Sequence, residues 1–272
     1  MNSPKSGNPL AGKLDAGPAP LLSVSGVSKA FGGLQALSDI SLQVHAGEIF
    51  GLIGPNGAGK TTLFNAFTGL YSIDRGEIRL NGTRLHGRKP HQVLQAGLAR
   101  TFQNIRLFAE MTALENVLVG RHIRTRSGVV GAVLRLPATR REEADSHERA
   151  HALLCRVGIA QHAGRLARNL PYGDQRRLEI ARALATEPSL LALDEPAAGM
   201  NPAERAALRE LLLQLQGDGL TLLLIEHDVK LVMGLCTRLA VLDYGVKIAE
   251  GTPDAVGCDS RVIAAYLGDE AL

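Results

Sequence analysis

The chain has few cysteines, and they are widely separated. Cys155, Cys236 and Cys258 are the three among 272 residues, and they form no Cys-x-x-Cys pair. Closely spaced cysteines are typical of metal sites, and dense even numbers in short chains indicate a disulfide framework. The spacing therefore argues against a cysteine-based metal site and predicts reduced thiols, as in a cytosolic protein.

Long apolar runs are also missing. The longest, Leu220–Ile225, is far shorter than the roughly 20 apolar residues that a membrane-spanning helix needs. Residues 1–20 are rich in proline, glycine, alanine and serine and have no apolar core of the kind found in signal peptides. We therefore expect no transmembrane helix and interpret residues 1–20 as a flexible leader.

A strong charge of either sign is absent as well. The 30 basic and 27 acidic residues leave a formal net charge of +3, and the basic residues are spread along the chain. Dedicated nucleic-acid-binding proteins usually concentrate their basic residues on one face. The balance of acidic and basic residues therefore argues against a nucleic-acid partner. Separately, the length of the chain fits one large α/β domain with an embellishment, or two small domains.

The predicted elements change in kind along the chain. Alternating apolar and polar residues predict strands in the first third, followed by one helix that ends at Gly69. The middle is predicted to be helical, with Thr112 and Glu115 as a capping box and a long surface helix over residues 138–158. Residues 121–137 carry four arginines without a clear period, which fits a solvated loop or, alternatively, a basic patch that faces a membrane or a partner.

From Leu190 onward the pattern alternates between strands and helices. Leu190–Asp194 and Leu220–His227 are apolar strands, and Asn201 and Pro202 supply a cap and a first-turn proline for the helix between them. Such alternation predicts a parallel sheet with helices on its faces.

A glycine-rich loop follows an apolar strand and leads into a helix. It consists of Gly54, Pro55, Asn56, Gly57, Ala58, Gly59, Lys60, Thr61 and Thr62. Glycines allow several backbone N–H groups to point inward, and the amino end of the helix adds partial positive charge. Lys60 is then placed to reach β- and γ-phosphates and Thr61 to bind Mg²⁺, so the loop predicts a phosphate-binding site.

A second apolar strand ends in two acids, Asp194 and Glu195. Beside a phosphate loop, the first acid can hold the ligand shell of Mg²⁺ and the second can polarise an attacking water. Alone, such a pair is usually a solvated strand end. In combination with the loop, it predicts a functional pair.

The stretch from Leu170 to Leu184, LPYGDQRRLEIARAL, contains no obvious nucleophile or acid–base pair. A turn from Pro171 to Gly173 runs into Asp174, after which apolar residues recur at helical spacing beneath a basic face. The pattern predicts a capped helix whose amino end has no chemistry of its own.

In their chain order, the glycine-rich loop, this stretch, LDEP and IEHD resemble the nucleotide-binding subunit of an ATP-binding cassette (ABC) transporter. The resemblance covers about residues 22–268. It implies an α/β fold of the P-loop NTPase (RecA-like) class, with a parallel-sheet core, an antiparallel β subdomain and a helical signature subdomain at about residues 104–188. A single ATPase domain over residues 21–268 would precede a short tail, 269–272.

The resemblance also implies roles for individual residues, with ATP and Mg²⁺ as cofactors. Phe31 would lie on the adenine ring, and His227 would contact the γ-phosphate. Gln103 would sense Mg²⁺ and the attacking water while contacting the membrane subunits, and Glu195 would be the general base. The implied Mg²⁺ ligands are Thr61, Gln103 and Asp194.

Residues 170–174 occupy the place of the family's signature, usually Leu-Ser-Gly-Gly-Gln. In this family two ATPase subunits face head to tail, so that the signature of one closes over the γ-phosphate held by the other. The resemblance thus assigns Pro171, Tyr172, Gly173 and Asp174 to a phosphate bound in trans. A glycine without a side chain would allow the backbone to come close to that phosphate.

This signature departs from the usual one. Pro171 removes a hydroxyl and a backbone N–H, Tyr172 replaces a glycine, and Asp174 places an acid near the phosphate. We expect Asp174 to cap its own helix and turn away. The loop after Glu195 lacks the family's usual aspartate and offers Asn201, which leaves open either reduced coupling between the two sites or a simple helix cap.

Several further stretches resemble the larger ATPase subunit of bacterial branched-chain amino acid importers. They are YGDQRRLEIARAL, LDEPAAGMNP, LLIEHDVKLVMGLC and the ending GTP…VIAAYLG. This resemblance implies two transmembrane permease subunits, a second ATPase subunit that is a related chain or a second copy, and indirectly a periplasmic solute-binding protein. It also implies a peripheral location on the cytoplasmic face of the cell membrane.

Other functions stay open at this stage. Similar subunits serve importers of urea or another small polar solute, and a lipopolysaccharide exporter. A soluble ABC ATPase that acts on nucleic acid or the ribosome would typically show a long coiled coil or two cassettes, and the sequence shows neither. A small-molecule kinase would have no use for the signature or for His227.

Overall fold

A computed structural model describes residues 19–124 and 137–269. Three parts of the predicted organisation fall wholly or partly outside the described residues. They are the leader up to residue 18, residues 125–136 of the arginine-rich segment and residues 270–272 of the tail.

The described residues form strands and α-helices with the following bounds. The strands are β1 (Leu22–Phe31), β2 (Leu34–Val44), β3 (Ile49–Ile53), β4 (Arg75–Leu80), β5 (Thr83–Arg84), β6 (Leu98–Arg100), β7 (Leu190–Asp194), β8 (Thr221–Ile225), β9 (Arg238–Asp243) and β10 (Val246–Gly251). The α-helices are α1 (Lys60–Phe67), α2 (Pro90–Gln95), α3 (Ala113–Arg121), α4 (Pro137–Arg156), α5 (Tyr172–Leu184), α6 (Pro202–Gly217), α7 (Val229–Leu235), α8 (Pro253–Gly257) and α9 (Ser260–Asp269).

A central sheet of six strands runs in the order β10-β9-β3-β8-β7-β6. The five strands from β9 to β6 are parallel, which confirms the predicted sheet, and β10 adds an antiparallel edge that the sequence pattern did not predict. Ile49 and Ile53 of β3 join one hydrophobic cluster, whereas Phe50 and Leu52 join another. Apolar packing therefore covers both faces of the sheet, as parallel sheets require.

The carboxyl ends of the parallel strands meet at one edge of this sheet. There β3 leads into the glycine-rich loop, β7 ends at Asp194, and His227 follows shortly after β8. Open α/β sheets bind ligands beyond the carboxyl ends of their strands. The topology thus brings the predicted functional segments to a common edge.

A second sheet, in the order β2-β1-β4-β5, is antiparallel. Its apolar side chains share a core with α1 and one face of the central sheet, around the fully buried Phe50, Phe64 and Phe67. This sheet confirms the antiparallel β part of the expected fold.

In the sequence, helices α3, α4 and α5 come between β6 and β7. They pack on the hydrophobic cluster that contains Ile49 and Ile53 of β3. Thr112 caps α3 as predicted, since its Oγ1 accepts a hydrogen bond from the N–H of Glu115 at 3.2 Å. At Gly120 on α3, a side-chain carbon would lie 2.3 Å from the backbone oxygen of Arg182 on α5, so glycine permits the close helix contact. The limits of a helical subdomain stay a prediction. Within the described ranges, no helix combines the length and apolarity needed to cross a membrane.

Candidate functional site

The glycine-rich loop lies tightly against neighbouring backbone. Gly54, Gly57 and Gly59 have φ angles of 149°, 78° and 98°, which residues with side chains rarely adopt. A side-chain carbon on Gly54 would lie 2.1 Å from the backbone oxygen of Leu242, and one on Gly59 would lie 2.7 Å from that of Ala36. The curled shape of the loop therefore depends on glycine at these two positions.

Lys60 is the first residue of α1, and its side chain folds into the loop. Only 8% of the residue is exposed, and Nζ donates hydrogen bonds to the backbone oxygens of Gly54 (2.6 Å) and Pro55 (2.8 Å). On the first turn of α1, Thr61 is exposed and Thr62 is half-buried. A lysine ammonium group at the amino end of a helix provides the positive charge and donors that a phosphate needs.

Gln103, Glu195 and His227 meet at the carboxyl edge of the central sheet. Gln103 Nε2 donates a hydrogen bond to Glu195 Oε2 at 2.9 Å, and His227 Nδ1 lies 3.6 Å from Glu195 Oε1. Glu195 has a left-handed φ of 45°, and its N–H donates to the backbone oxygen of Ile225 at 2.9 Å. Left-handed backbone at a residue other than glycine is strained and often occurs at functional sites. The fold thus brings Gln103 and His227, from two other segments, to the carboxylate of Glu195.

Asp194 ends β7, and only 6% of the residue is exposed. Burial raises the pKa of its carboxyl group, while the guanidinium group of Arg100 opposes that rise. Arg100 NH2 lies 3.6 Å from Asp194 Oδ2. This carboxylate and the exposed residue Thr61 lie at the same edge of the sheet, and both side chains carry oxygens of the kind that Mg²⁺ prefers as ligands.

Arg100 is a half-buried member of this site that no sequence pattern indicated. Its NH1 group donates to Asn65 Oδ1 at 3.0 Å and to Thr68 Oγ1 at 2.9 Å, so that it links α1 to the end of β7. Phe64 and Phe102 lie against its guanidinium group, at 4.6 and 4.4 Å from ring centroid to Cζ. An arginine on a three-residue strand gives no sequence signal for such a position.

Glu226, within the IEHD motif, was also missed. Only 1% of the residue is exposed, and one of its oxygens accepts a hydrogen bond from the N–H of Ala197 at 3.1 Å. The other oxygen lies 4.0 Å from His227 Nδ1. Burial raises the pKa of this carboxyl group. Its position directly after an apolar strand was the available signal, because an acid there is expected either at the surface or at a site.

Phe31 ends β1 with 42% of the residue exposed. Its ring meets that of Tyr71 edge to face, with centroids 5.2 Å apart, and Lys29 Nζ lies 5.3 Å from the Phe31 centroid. The exposed aromatic pair offers an apolar surface of the kind on which a base can stack. The assignment of Phe31 to an adenine ring stays a prediction, and no sequence pattern pointed to Tyr71.

The signature stretch forms α5, which begins at Tyr172 with Pro171 as its cap residue. The prediction that Asp174 caps this helix is wrong. Its Oδ2 instead lies 3.3 Å from His162 Nε2, in an ion pair that forms when the histidine is protonated. Asp174 is in the first turn, where the helix dipole favours a negative charge without a capping bond.

Gly173 is buried against α6. A side-chain carbon at this position would lie 2.8 Å from Glu204 Oε1, so a larger residue would have to displace the Glu204 side chain even without a bound phosphate. Glu204 is held in place because it forms a capping box with Asn201: Glu204 Oε2 accepts from the N–H of Asn201 at 2.9 Å, and Asn201 Oδ1 accepts from the N–H of Glu204 at 3.0 Å. The helix-cap interpretation of Asn201 is therefore confirmed.

Comparisons with known proteins extend these observations. Residues 37–198 match the family model described as ABC transporter, and residues 246–271 match a model described as branched-chain amino acid ATP-binding cassette transporter. The high-affinity branched-chain amino acid transport ATP-binding protein LivG of Salmonella typhimurium is 49% identical, over 92% of this chain and 98% of that protein. BraF of Pseudomonas aeruginosa, which carries the same description, is 45% identical over equal shares.

Two more distant proteins agree with this placement. The lipopolysaccharide export system ATP-binding protein LptB of Haemophilus influenzae is 34% identical, over 92% of this chain and 98% of that protein. The solved ADP conformation of MJ1267, an ATP-binding cassette of an ABC transporter, is 30% identical with a TM-score of 0.79, and the match covers 92% of this chain and 100% of that structure.

The family match spans more than half of the chain, and full-length relatives match at well above 30% identity. The strand–loop–helix phosphate site and the acids at the edge of the sheet are what an ATPase of this kind requires. The chain belongs to the ABC transporter family, as a nucleotide-binding subunit that couples ATP hydrolysis to transport.

Proposed function

We propose that this chain hydrolyses MgATP to energise the import of branched-chain amino acids. LivG and BraF, whose names state branched-chain amino acid transport, are considerably more similar to this chain than LptB, whose name states lipopolysaccharide export. The match at residues 246–271 supports the same substrate class from a separate part of the chain. These two observations favour leucine-like substrates over urea, other polar solutes and lipopolysaccharide.

The hydrogen bond between Gln103 and Glu195 is the single observation that carries the proposed mechanism. Glu195 polarises the attacking water and accepts its proton, because it is a carboxylate at the mouth of a phosphate site. Gln103 orients that carboxylate through its side-chain amide. His227, close to the same carboxylate, contacts the γ-phosphate and stabilises the charge that develops on it.

The remaining residues bind and orient the nucleotide. Lys60 exchanges its bonds to loop carbonyls for bonds to negatively charged β- and γ-phosphate oxygens, in which both donor and acceptor are ionised. Asp194, Thr61 and Gln103 would hold the Mg²⁺ ion, which would supply Lewis-acid stabilisation of phosphate charge. Phe31 stacks on the adenine ring.

The amino end of α5 serves a second ATPase subunit. Its first-turn N–H groups have no partners within the helix, so they can bind the γ-phosphate held by the other subunit. The partner ATPase is a related chain or a second copy. Two transmembrane permeases complete the transporter at the cytoplasmic face of the cell membrane, and a periplasmic solute-binding protein delivers the substrate.

Reconstitution in liposomes tests the proposed substrate. The chain is assembled with its permeases and companion ATPase, and the uptake of leucine, urea and glutamine is measured together with ATP turnover. We expect ATP-dependent uptake of leucine and stimulation of turnover by a leucine-loaded binding protein. Turnover that responds to urea or glutamine but not to leucine would contradict the proposal.

A further inference from the structure

Tyr172, one of the departures from the usual signature, bridges two parts of the proposed site. Its hydroxyl group donates a hydrogen bond to the backbone oxygen of Ala198 at 2.9 Å. The ring lies over Gly199, where a side-chain carbon would be 3.3 Å from Tyr172 Cε1. Both contacts are in the loop that directly follows Glu195. The tyrosine therefore connects the start of α5 to the segment that carries the proposed general base.

Arg176 lies one helical turn after Tyr172 and is almost fully buried, with 3% of the residue exposed. Its NH1 group donates to the backbone oxygen of Phe102 at 2.7 Å, and its NH2 group donates to the backbone oxygen of Gln103. NH2 also donates to the hydroxyl oxygen of Tyr172 at 3.2 Å. One guanidinium group thus joins the start of α5 to two successive backbone carbonyls, those of Phe102 and Gln103.

Glu179 completes this arrangement. It is 2% exposed, its Oε2 lies 3.2 Å from Arg176 NH1, and its Oε1 accepts from the N–H of Phe102 at 3.3 Å. Burial raises the pKa of its carboxyl group. Buried ion pairs gain little net stability, because desolvation of both charges offsets their attraction. Stability alone is therefore a weak reason for placing two charges here, whereas fixing the position of Gln103 is a specific one.

We propose that Tyr172 and Arg176 form a clamp that sets the position of Gln103 relative to the signature. The connection runs from the amino end of α5 through Arg176 to the backbone of Gln103, and from the Gln103 side chain to Glu195. Tyr172 adds a parallel connection to the loop that follows Glu195. These are contacts of positioning residues, since neither side chain touches the Glu195 carboxylate.

The clamp relates the two nucleotide sites of the proposed dimer. This step rests on the proposed function, because it needs the signature to meet a phosphate held by the partner subunit. Gln103 and Glu195, in contrast, act on the nucleotide bound by their own chain. Movement of α5 toward the partner's phosphate therefore displaces Gln103 in the chain's own site. Each signature thus contacts the nucleotide of the partner but affects the hydrolysis of the nucleotide bound by its own chain.

Amide hydrogen exchange on the full chain alone tests the clamp without a transporter. The variants are Tyr172→Phe, which removes only the hydroxyl group, and Arg176→Lys, which keeps the charge but loses the forked geometry. For Tyr172→Phe we expect faster exchange in residues 101–106 and 197–199. For Arg176→Lys we expect a larger increase of the exchange rate in residues 101–106. The matched control is Arg177→Lys on the same helix, where the guanidinium group donates to the backbone oxygen of Val157.

The exchange pattern separates a clamp from general stabilisation. Wild-type exchange in residues 101–106 for both variants would overturn the proposal. Faster exchange spread evenly over the chain, with the same acceleration in Arg177→Lys, would also overturn it. The exchange rates would then reflect a general loss of stability in all of these variants. The milder Tyr172→Phe variant keeps the test valid if Arg176→Lys does not fold.

Kinetics of the assembled transporter test the consequence for hydrolysis. Loss of both hydrogen bonds of the Tyr172 hydroxyl group in Tyr172→Phe should lower kcat about three- to tenfold, with less than a twofold change in the Kd of the chain alone for MgATP. Arg177→Lys should keep kcat within about twofold of wild type on the same reasoning. An equal loss of kcat and MgATP affinity would contradict the positioning role. A wild-type assembly that transports no leucine would contradict the proposed substrate instead, and the exchange pattern of the chain alone would still decide the clamp.

Discussion

The side-chain amide of Gln103 donates a hydrogen bond of 2.9 Å to the carboxylate of Glu195. The two residues are far apart in the sequence and follow β6 and β7, which are neighbouring parallel strands. Their contact is therefore a product of the sheet order. The amide thus orients the carboxylate that we propose as the general base.

Substitution of Glu195 by Gln should abolish hydrolysis in the assembled transporter. Removal of a general base typically costs about 10²- to 10⁴-fold in turnover, and glutamine keeps the size of the side chain. MgATP binding to the chain alone should be kept, because in the proposed mechanism Glu195 acts on the attacking water and not on the phosphates. Phosphate release and equilibrium binding measure the two effects. Wild-type hydrolysis by this variant would remove Glu195 from the proposed role.

Substitution of Lys60 by Ala should weaken ATP binding about 10- to 100-fold, as expected for loss of a charged hydrogen-bonding group. The reason is that Lys60 Nζ already lies among the carbonyls of the loop that we propose as the phosphate site. Isothermal titration of the full chain with ATP measures this change. Lys89→Ala removes the same charge from an exposed position and is the control. Equal affinities in the two variants would contradict the phosphate-loop assignment.

Contiguous parts of the site could be predicted from the sequence. The glycine-rich loop is one segment, so its residue types and its place between a strand and a helix identify it directly. The parallel sheet followed from alternation of strands and helices after Leu190. The position of Gln103 beside Glu195 needed the family resemblance, because no local pattern links two residues on separate strands.

Contacts between distant segments could not be predicted. Arg176 belongs to a stretch that was interpreted as a basic face, yet it is buried on carbonyls far away in the sequence. Asp174 was expected to cap its helix but pairs with His162, which hydropathy and helical spacing do not reveal. In both cases a tertiary partner outweighs the local preference of the residue.

Substitution of Gly173 by Ala should lower both the stability of the chain and the turnover of the transporter, and a second variant can separate the two effects. The new methyl group meets Glu204 Oε1 at 2.8 Å and displaces the capping box of α6, so the free energy of unfolding should fall by about 0.5–2 kcal/mol. In a Glu204→Ala background this added loss should disappear, because the obstructing carboxylate is gone. Thermal melts of the four chains measure the difference.

Turnover of the assembled transporter decides whether Gly173 also approaches a phosphate. Stimulated hydrolysis should stay lost in the Gly173→Ala, Glu204→Ala double variant relative to Glu204→Ala, while ATP binding to the chain alone is unchanged. Restored turnover in the double variant would mean that glycine is needed only to accommodate Glu204.

The buried Glu226 should make stability depend on pH in a defined direction. Burial raises its pKa in the folded chain, so the folded state binds a proton more tightly than the unfolded state, and the stability from this group is lost as pH rises through the folded pKa. Glu226→Gln keeps an oxygen for the N–H of Ala197 but does not ionise. The melting temperature of Glu226→Gln should therefore rise relative to wild type between pH 5 and pH 8, with the exposed Glu210→Gln as control. If the difference in melting temperature between Glu226→Gln and wild type instead became smaller as pH rises, Glu226 would be stabilised as a carboxylate. His227 or a neighbouring N–H group would then affect its pKa more than burial does.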